Sequence, residues 1–151
     1  MYDLQFEDAH RIHVTPAAAL TMRVWADPDL AARALVIVLE NALDLSPEET
    51  VVDISAATSG GRLTISVADR GPGITAEARE RIFTPFSQAE DSMTRSHEGL
   101  GIGLFLAKRI MDANGGAIDA DPRPSSGAVF TLTFTAIDEQ LPEAPEIHEV
   151  A

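Results

Sequence analysis

The sequence predicts an α/β sandwich of the α+β class: a mixed, mostly antiparallel sheet with helices packed on one face. An apolar-rich run from Pro28 to about Leu45 has helical spacing. Two alternating stretches flank Ser59-Gly60-Gly61 as a hairpin, and two more follow the Gly115-Gly116 pair. Strands that arrive as hairpins argue against a doubly wound parallel sheet. A length of 151 residues fits one domain, and 45% hydrophobic content is enough to bury a core.

The elements follow in order. Arg11–Thr15 and Thr21–Trp25 alternate and read as short strands. Asp27 and Pro28 suit the N-cap and first position of the long helix. Within it Leu35, Val38, Leu39 and Ala42 form an apolar stripe for the sheet, and Ile37, Asn41, Asp44 and Leu45 lie on the neighbouring stripe. Val51–Thr58 and Arg62–Ala68 form the hairpin. Leu63, Ile65 and Val67 share one face, and the parity continues to Asp69. A Gly/Pro loop, a short helix around Thr75–Ile82 and a polar stretch Thr84–Glu98 come next. Gly101–Asn114 reads as a helix stopped by Gly115-Gly116. Ala117–Asp121 and Ala128–Thr135 are the closing strands. Residues 1–10 read as an edge, 11–135 as the domain, and 136–151 as an acidic, disordered tail with Asp138, Glu139, Glu143, Glu146 and Glu149 and no Lys or Arg.

Charge and composition exclude several functions. A net charge of −13, from 11 Lys+Arg against 24 Asp+Glu, gives no broad footprint for a phosphate backbone, so nucleic acid is not an expected partner. The absence of cysteine removes disulfide scaffolds, thiolate zinc sites and cysteine nucleophiles. No run approaches a membrane span and no secretory leader pattern opens the chain, so no membrane contact is expected. An anionic nucleotide remains possible if local backbone donors and a metal ion hold it.

Three motifs could do so. Asn41, after Glu40 in the long helix, could offer a neutral oxygen to Mg²⁺, although a lone helical Asn also reads as an inert surface residue. Asp69, heading Asp69-Arg70-Gly71-Pro72-Gly73-Ile74, could accept a hydrogen bond from the exocyclic amine of adenine and oppose the O6 of guanine. Gly71 and Gly73 would let backbone approach a flat ring; the plain alternative is an Asp-rich turn at a strand end. Gly99-Leu100-Gly101-Ile102-Gly103 opens a helix, where successive N–H groups and the helix dipole suit phosphates; a flexible hinge is the alternative. The spacing matches neither the dinucleotide fingerprint nor a Walker loop.

In this order the motifs resemble the catalytic ATP-binding domain of bacterial sensor histidine kinases, in the Bergerat-fold group. Val38–Ala42 is similar to the family's N box, Asp69–Ile74 to its first glycine box, Arg81–Gln88 to its F box and Gly99–Leu104 to its second glycine box. Gly115–Ile118 and Gly127–Phe130 resemble its closing strands, and the likeness spans Ile12 to Thr135. It implies a Bergerat ATP-binding fold that binds Mg²⁺ and ATP and donates the γ-phosphoryl group to a histidine. That histidine would lie on a dimerisation domain outside this chain, with a response regulator downstream, in the cytoplasm or in the cytoplasmic portion of a membrane-bound sensor. Asn41 would bind Mg²⁺, and Asp69 would read the adenine amine, with Gly71, Gly73 and Ile74 along the base. Gly99, Leu100, Gly101, Ile102, Gly103 and Leu104 would wrap the phosphates. Ser87–Glu98 would form a lid anchored by Phe83 and Phe86, Arg95 would meet the γ-phosphate, and Glu40 would polarise the reaction.

The chain departs from the family pattern at Ile37, Asp44, Leu45 and Ala128, where an Asn, a Lys or Arg, an aromatic and a Ser or Thr are common. An anion at position 44 should weaken triphosphate binding. Ser96-His97-Glu98 imitates the start of the phosphoacceptor motif but lies in the lid, and His10, His13 and His148 have no acceptor context. A degenerate domain kept for protein contacts and a serine kinase of the anti-sigma type are the rival readings; a topoisomerase or repair ATPase is disfavoured by size.

Overall fold

The computed structural model describes residues 8–15, 22–86 and 102–137. Five strands form one sheet: β1 (Ile12–Val14), β2 (Val52–Ser59), β3 (Arg62–Ala68), β4 (Ala117–Pro122) and β5 (Ala128–Thr135), in the spatial order β1-β2-β3-β5-β4. Only β1 and β2 run parallel. Helices α1 (Pro28–Leu45), α2 (Ala76–Arg81) and α3 (Gly103–Ala113) complete the fold.

Local chemistry accounts for the boundaries. The Asp27 carboxylate accepts from the N–H groups of Asp29 (2.9 Å) and Leu30 (3.0 Å), with Pro28 at the first turn of α1. Ser59 and Arg62 pair across Gly60-Gly61, whose φ values of 57° and 72° make the two-residue turn that matches strand twist. The Thr75 hydroxyl caps α2 by accepting from Ala78 N at 3.1 Å. Past the end of α3, Gly115 takes φ 68° and Gly116 N returns to the Met111 carbonyl at 2.9 Å. The Asn114 side-chain oxygen also accepts from Asp27 N at 2.8 Å, tying the end of α3 to the start of α1.

The core lies between α1, α3 and one face of the sheet. Val38, Leu39 and Ala42 of α1 and Ala107, Ile110 and Met111 of α3 are buried with Val52, Val67, Ile118, Phe130 and Leu132. The expected sheet-facing stripe is therefore present, with Leu35 at its half-buried margin. The expected strand Thr21–Trp25 is not formed over its described part. Val24 makes a single bridge to Ala136, because the chain must turn at Asp27 to start α1 and β5 ends at Thr135. Ile137 N bonds to the Arg23 carbonyl at 2.8 Å; the tail beyond it lies outside the described residues.

Arg11, expected as the first residue of a strand, is buried at 6% exposure just before β1. Its guanidinium donates to the carbonyls of Thr50 (3.2 Å), Leu43 (3.3 Å), Ser46 (3.1 Å) and Pro47 (3.0 Å). A cation at the C-terminal end of α1 satisfies carbonyls that have no helical partner and complements the helix dipole. Arg11→Ala strips those acceptors and leaves a cavity. Stability should fall by about 2–4 kcal/mol, read as a shift of the urea midpoint at constant slope.

A second charged cluster ties β1 to the loop after β3. His13 Nδ1 lies 3.0 Å from one Asp53 oxygen, and Arg70 Nη2 lies 2.8 Å from the other. Arg70 also donates to the Val51 carbonyl. Burial alone would raise the Asp53 pKa, but the hydrogen bonds from His13 and Arg70 and their positive charge outweigh it and hold the carboxyl below its ordinary value. A depressed folded pKa contributes stability that is present above the unfolded value, about 3.9, and is lost as pH falls through the folded value. Acid titration of Asp53→Asn should therefore show a shallower loss of stability below about pH 4 than the parent chain.

Candidate functional site

Asp69 is the residue just past β3 and is 1% exposed. Its inward position follows from the alternation that buries Val67. One carboxylate oxygen, Oδ1, accepts from Gly71 N and from Ala128 N, both at 3.0 Å. The other, Oδ2, is buried with no hydrogen-bond partner among the described residues. A buried acceptor left open at the end of a strand is costly unless something supplies a donor.

The loop carrying Asp69 is held from two sides. On the α1 side, the buried Ser46 hydroxyl oxygen accepts from Arg70 N at 3.0 Å. A Cβ at Gly71 would lie 2.8 Å from the Leu45 carbonyl oxygen. On the β5 side, the Ser126 hydroxyl donates to the Gly71 carbonyl at 3.0 Å, and Arg123 Nη1 donates to the Asp69 carbonyl at 3.3 Å. Gly73 takes φ 84°, with the Gly127 carbonyl 3.1 Å from where a Cβ would stand. Gly71 and Gly73, expected to make room for a ring, thus meet protein backbone: each permits a close approach within the fold.

Helix α1 supplies a second open group. Asn41 is half-buried, and its Nδ2 is buried without a partner among the described residues. Ile37, Asn41 and Leu45 fall one turn apart on one face and span about 12 Å. At one end of that face Leu45 abuts Gly71; at the other, Ile37 Cγ2 lies 3.3 Å from a Cβ built on Gly103, the first residue of α3. Asn41 therefore sits midway between the Asp69 loop and the start of α3. Contacts thus join α1 to the Asp69 loop at Leu45 and to the start of α3 at Ile37. Glu40 and Asp44 are exposed on the same helix, and Ile102 is exposed beside the half-buried Leu104. Ile74 is half-buried against the core.

The expected phosphate residues Gly99, Leu100 and Gly101, the lid Ser87–Glu98 with Arg95 and His97, and His148 lie outside the described residues. Of the two expected lid anchors, Phe83 packs edge-on against Phe130 with ring centres 6.3 Å apart, whereas Phe86 is 71% exposed at φ 62°. A separate groove of about 530 Å³ lies between α2, α3 and β4; Arg79, Phe83, Lys108 and Asp119 help to line it, and none of the residues expected to hold base, metal or phosphates does. Among the described residues no helix is long and apolar enough to cross a membrane.

Sequence reasoning missed Ser46, Arg123, Ser126 and the role of Gly127. Gly127 has φ 99°, and a Cβ there would collide with the Asp69 carbonyl and stand 2.8 Å from Oδ1. A glycine immediately before an apolar strand was the available signal.

A five-stranded mixed sheet backed by helices, with a buried carboxylate at the end of its middle strand, defines an α/β sandwich. Residues 26–137 match the family described as histidine kinase-, DNA gyrase B-, and HSP90-like ATPases, and the chain belongs to that family. It is 33% identical over 139 residues to the sensor-like histidine kinase SenX3 of Mycolicibacterium smegmatis, covering 92% of this chain and 34% of that protein. The chain thus spans about a third of the length of that relative. Among solved structures, the mycobacterial sensor histidine kinase MprB superposes with a TM-score of 0.67 at 27% identity, covering 83% of this chain and 80% of that one. Full-length ShkA in complex with AMPPNP gives 0.66 at 31% identity, covering 86% and 27%. The Bergerat-type fold expected from the motifs is the fold observed.

Proposed function

We propose that this chain is the catalytic domain, residues 11–135, of a sensor histidine kinase. It would bind Mg²⁺ and ATP and present the γ-phosphoryl group to a histidine on a dimerisation domain that the chain does not contain, for onward transfer to a response regulator. The observation that carries the reading is the Asp69 carboxylate, with Oδ1 held by two backbone N–H groups and Oδ2 buried and open. The donor that fits is an exocyclic amine such as adenine N6, since guanine would set its O6 acceptor against the same oxygen. Likeness to ShkA, solved in complex with AMPPNP, supports nucleotide binding by this fold.

Asn41, with its amide half open in the middle of the α1 face, would give its side-chain oxygen to Mg²⁺. Mg²⁺ held by Asn41 would supply charge neutralisation at the phosphates, and the terminal phosphoryl group would pass from ATP to the imidazole nitrogen of the incoming histidine. The chain's own part is placement: Asp69 and Ile74 fix the base, Asn41 holds the metal end, and the glycine run through Gly103 offers N–H groups to the phosphates. Glu40, exposed beside Asn41, would polarise the reaction, and Arg95 would meet the γ-phosphate. Asp44, on the same side of α1, adds negative charge that lowers affinity.

Calorimetric titration with ATP and ADP, with and without Mg²⁺, tests this reading. Heat should appear at submillimolar nucleotide, and silence at millimolar concentration would instead favour a domain kept for protein contacts. Asn41→Ala should remove the Mg²⁺-dependent part of ATP binding, about tenfold, and leave metal-free ADP binding within about twofold. Equal losses in both conditions would take the metal away from Asn41.

A further inference from the structure

We propose that the turn between β4 and β5, Arg123–Gly127, is a clasp that positions Asp69 and thereby sets the purine selectivity of the site, with Arg123 and Ser126 as positioning residues. This rests on the assignment of Asp69 to the base. The β3–β5 ladder ends with the pair Ala68 and Val129, and one further backbone bond carries its register to Asp69 and Ala128. Beyond that point the loop is held by Ser46 on the α1 side and by the turn on the β5 side. Asp69 N donates to the Ala128 carbonyl at 2.9 Å, and Ala128 N returns to Oδ1 at 3.0 Å. Arg123 Nη1 holds the Asp69 carbonyl at 3.3 Å, and Ser126 Oγ holds the Gly71 carbonyl at 3.0 Å. The turn is itself closed by Arg123 N on the Gly127 carbonyl at 2.9 Å.

These bonds act on different parts of the same short loop. A carboxylate rotates readily about its last bond, and a rotated one can accept from a guanine amine as well as from an adenine amine. Discrimination requires that a single oxygen face the base at a fixed angle. Gly71 N and Ala128 N select Oδ1 as the held oxygen, but they do so only while both peptides keep their places. Ser126 fixes residue 71 through its carbonyl, and Arg123 fixes residue 69 through its own, in the second case with a charged donor. Ala128 brings its N–H to Oδ1 and its carbonyl to Asp69 N, and its methyl has nothing to donate to Oδ2. Neither Arg123 nor Ser126 is assigned any contact with nucleotide.

The test compares Kd values for ADP and GDP, by calorimetry on the 151-residue chain, in the parent, Ser126→Ala, and Arg123→Ala with Ser126→Ala. Thermal denaturation is run on each. The parent should prefer ADP. The double variant should lose about tenfold of the ADP-to-GDP preference, mainly through weaker ADP binding, and Ser126→Ala alone about threefold. Arg123→Lys with Ser126→Thr should restore the preference to within about threefold of the parent. A turn that served only to hold the fold together would lower both affinities alike and leave their ratio unchanged, and that result overturns the clasp. Should the double variant not fold, Ser126 is exposed and its single variant decides by the same ratio. A parent chain with no preference for ADP would overturn the base assignment itself, and with it the clasp, before any variant is read.

Discussion

Asp69→Asn is expected to weaken ADP and ATP binding by about tenfold or more while leaving the fold intact. The two backbone N–H groups that meet Oδ1 require an acceptor, so the new amide must place its oxygen there. Its NH2 then occupies the position of Oδ2, where it faces the adenine amine donor to donor. The same turn of the amide offers a donor to the O6 of guanine, so GDP should gain relative to ADP. This reversal separates recognition from mere damage, because a disrupted site would lose both nucleotides. Calorimetry with the two diphosphates reads it directly. Unchanged ADP affinity would remove Asp69 from base recognition.

The largest stability effect is expected at Gly127→Ala. The methyl group would occupy the space of the Asp69 carbonyl oxygen and crowd Oδ1 at 2.8 Å, at a backbone φ of 99° that side chains rarely adopt. Left-handed strain costs about 1 kcal/mol, and displacing a packed carbonyl adds more, for a total of about 3–5 kcal/mol. Gly115→Ala is the control, since Gly115 has φ 68° but no atom within 4 Å of a Cβ. It should lose only about 1 kcal/mol. Thermal or urea denaturation of the pair isolates the contact with Asp69 from the backbone preference. Equal losses would mean that the strand β3 end yields to the turn.

Much of the fold was legible because local signals agreed with burial. Asp27-Pro28 set the start of α1, Gly60-Gly61 set the hairpin, and the parity of Leu63, Ile65 and Val67 correctly brought Asp69 inside. What stayed hidden depends on partners distant in sequence. Arg11 reads as the first residue of a strand until the carbonyls at the end of α1, more than thirty positions away, surround it. Trp25 belongs to an alternating stretch, yet only one bridge forms there, since the length of β5 decides how much pairing is available. The site shows the same division. Asp69 and Asn41 stand in recognisable motifs, whereas Arg123 and Ser126 act through generic bonds to main-chain oxygen that leave no pattern in composition. Gly71 was readable as a required glycine but not for its reason, because the Leu45 carbonyl that demands it is invisible before the chain folds.

The seating of Gly71 on the Leu45 carbonyl also bears on how this pocket can change over evolutionary time. At one end Gly71 meets the Leu45 main chain, and two turns earlier on the same helix the Ile37 side chain meets Gly103. Side chains at 44 and 45 can change without removing the main-chain contact, whereas a change at 37 alters the other. Loss or gain of one residue inside the helix would swing the downstream positions by about 100° and uncouple the two halves at once. Tolerance to replacement and intolerance to length change should therefore coexist on this single edge.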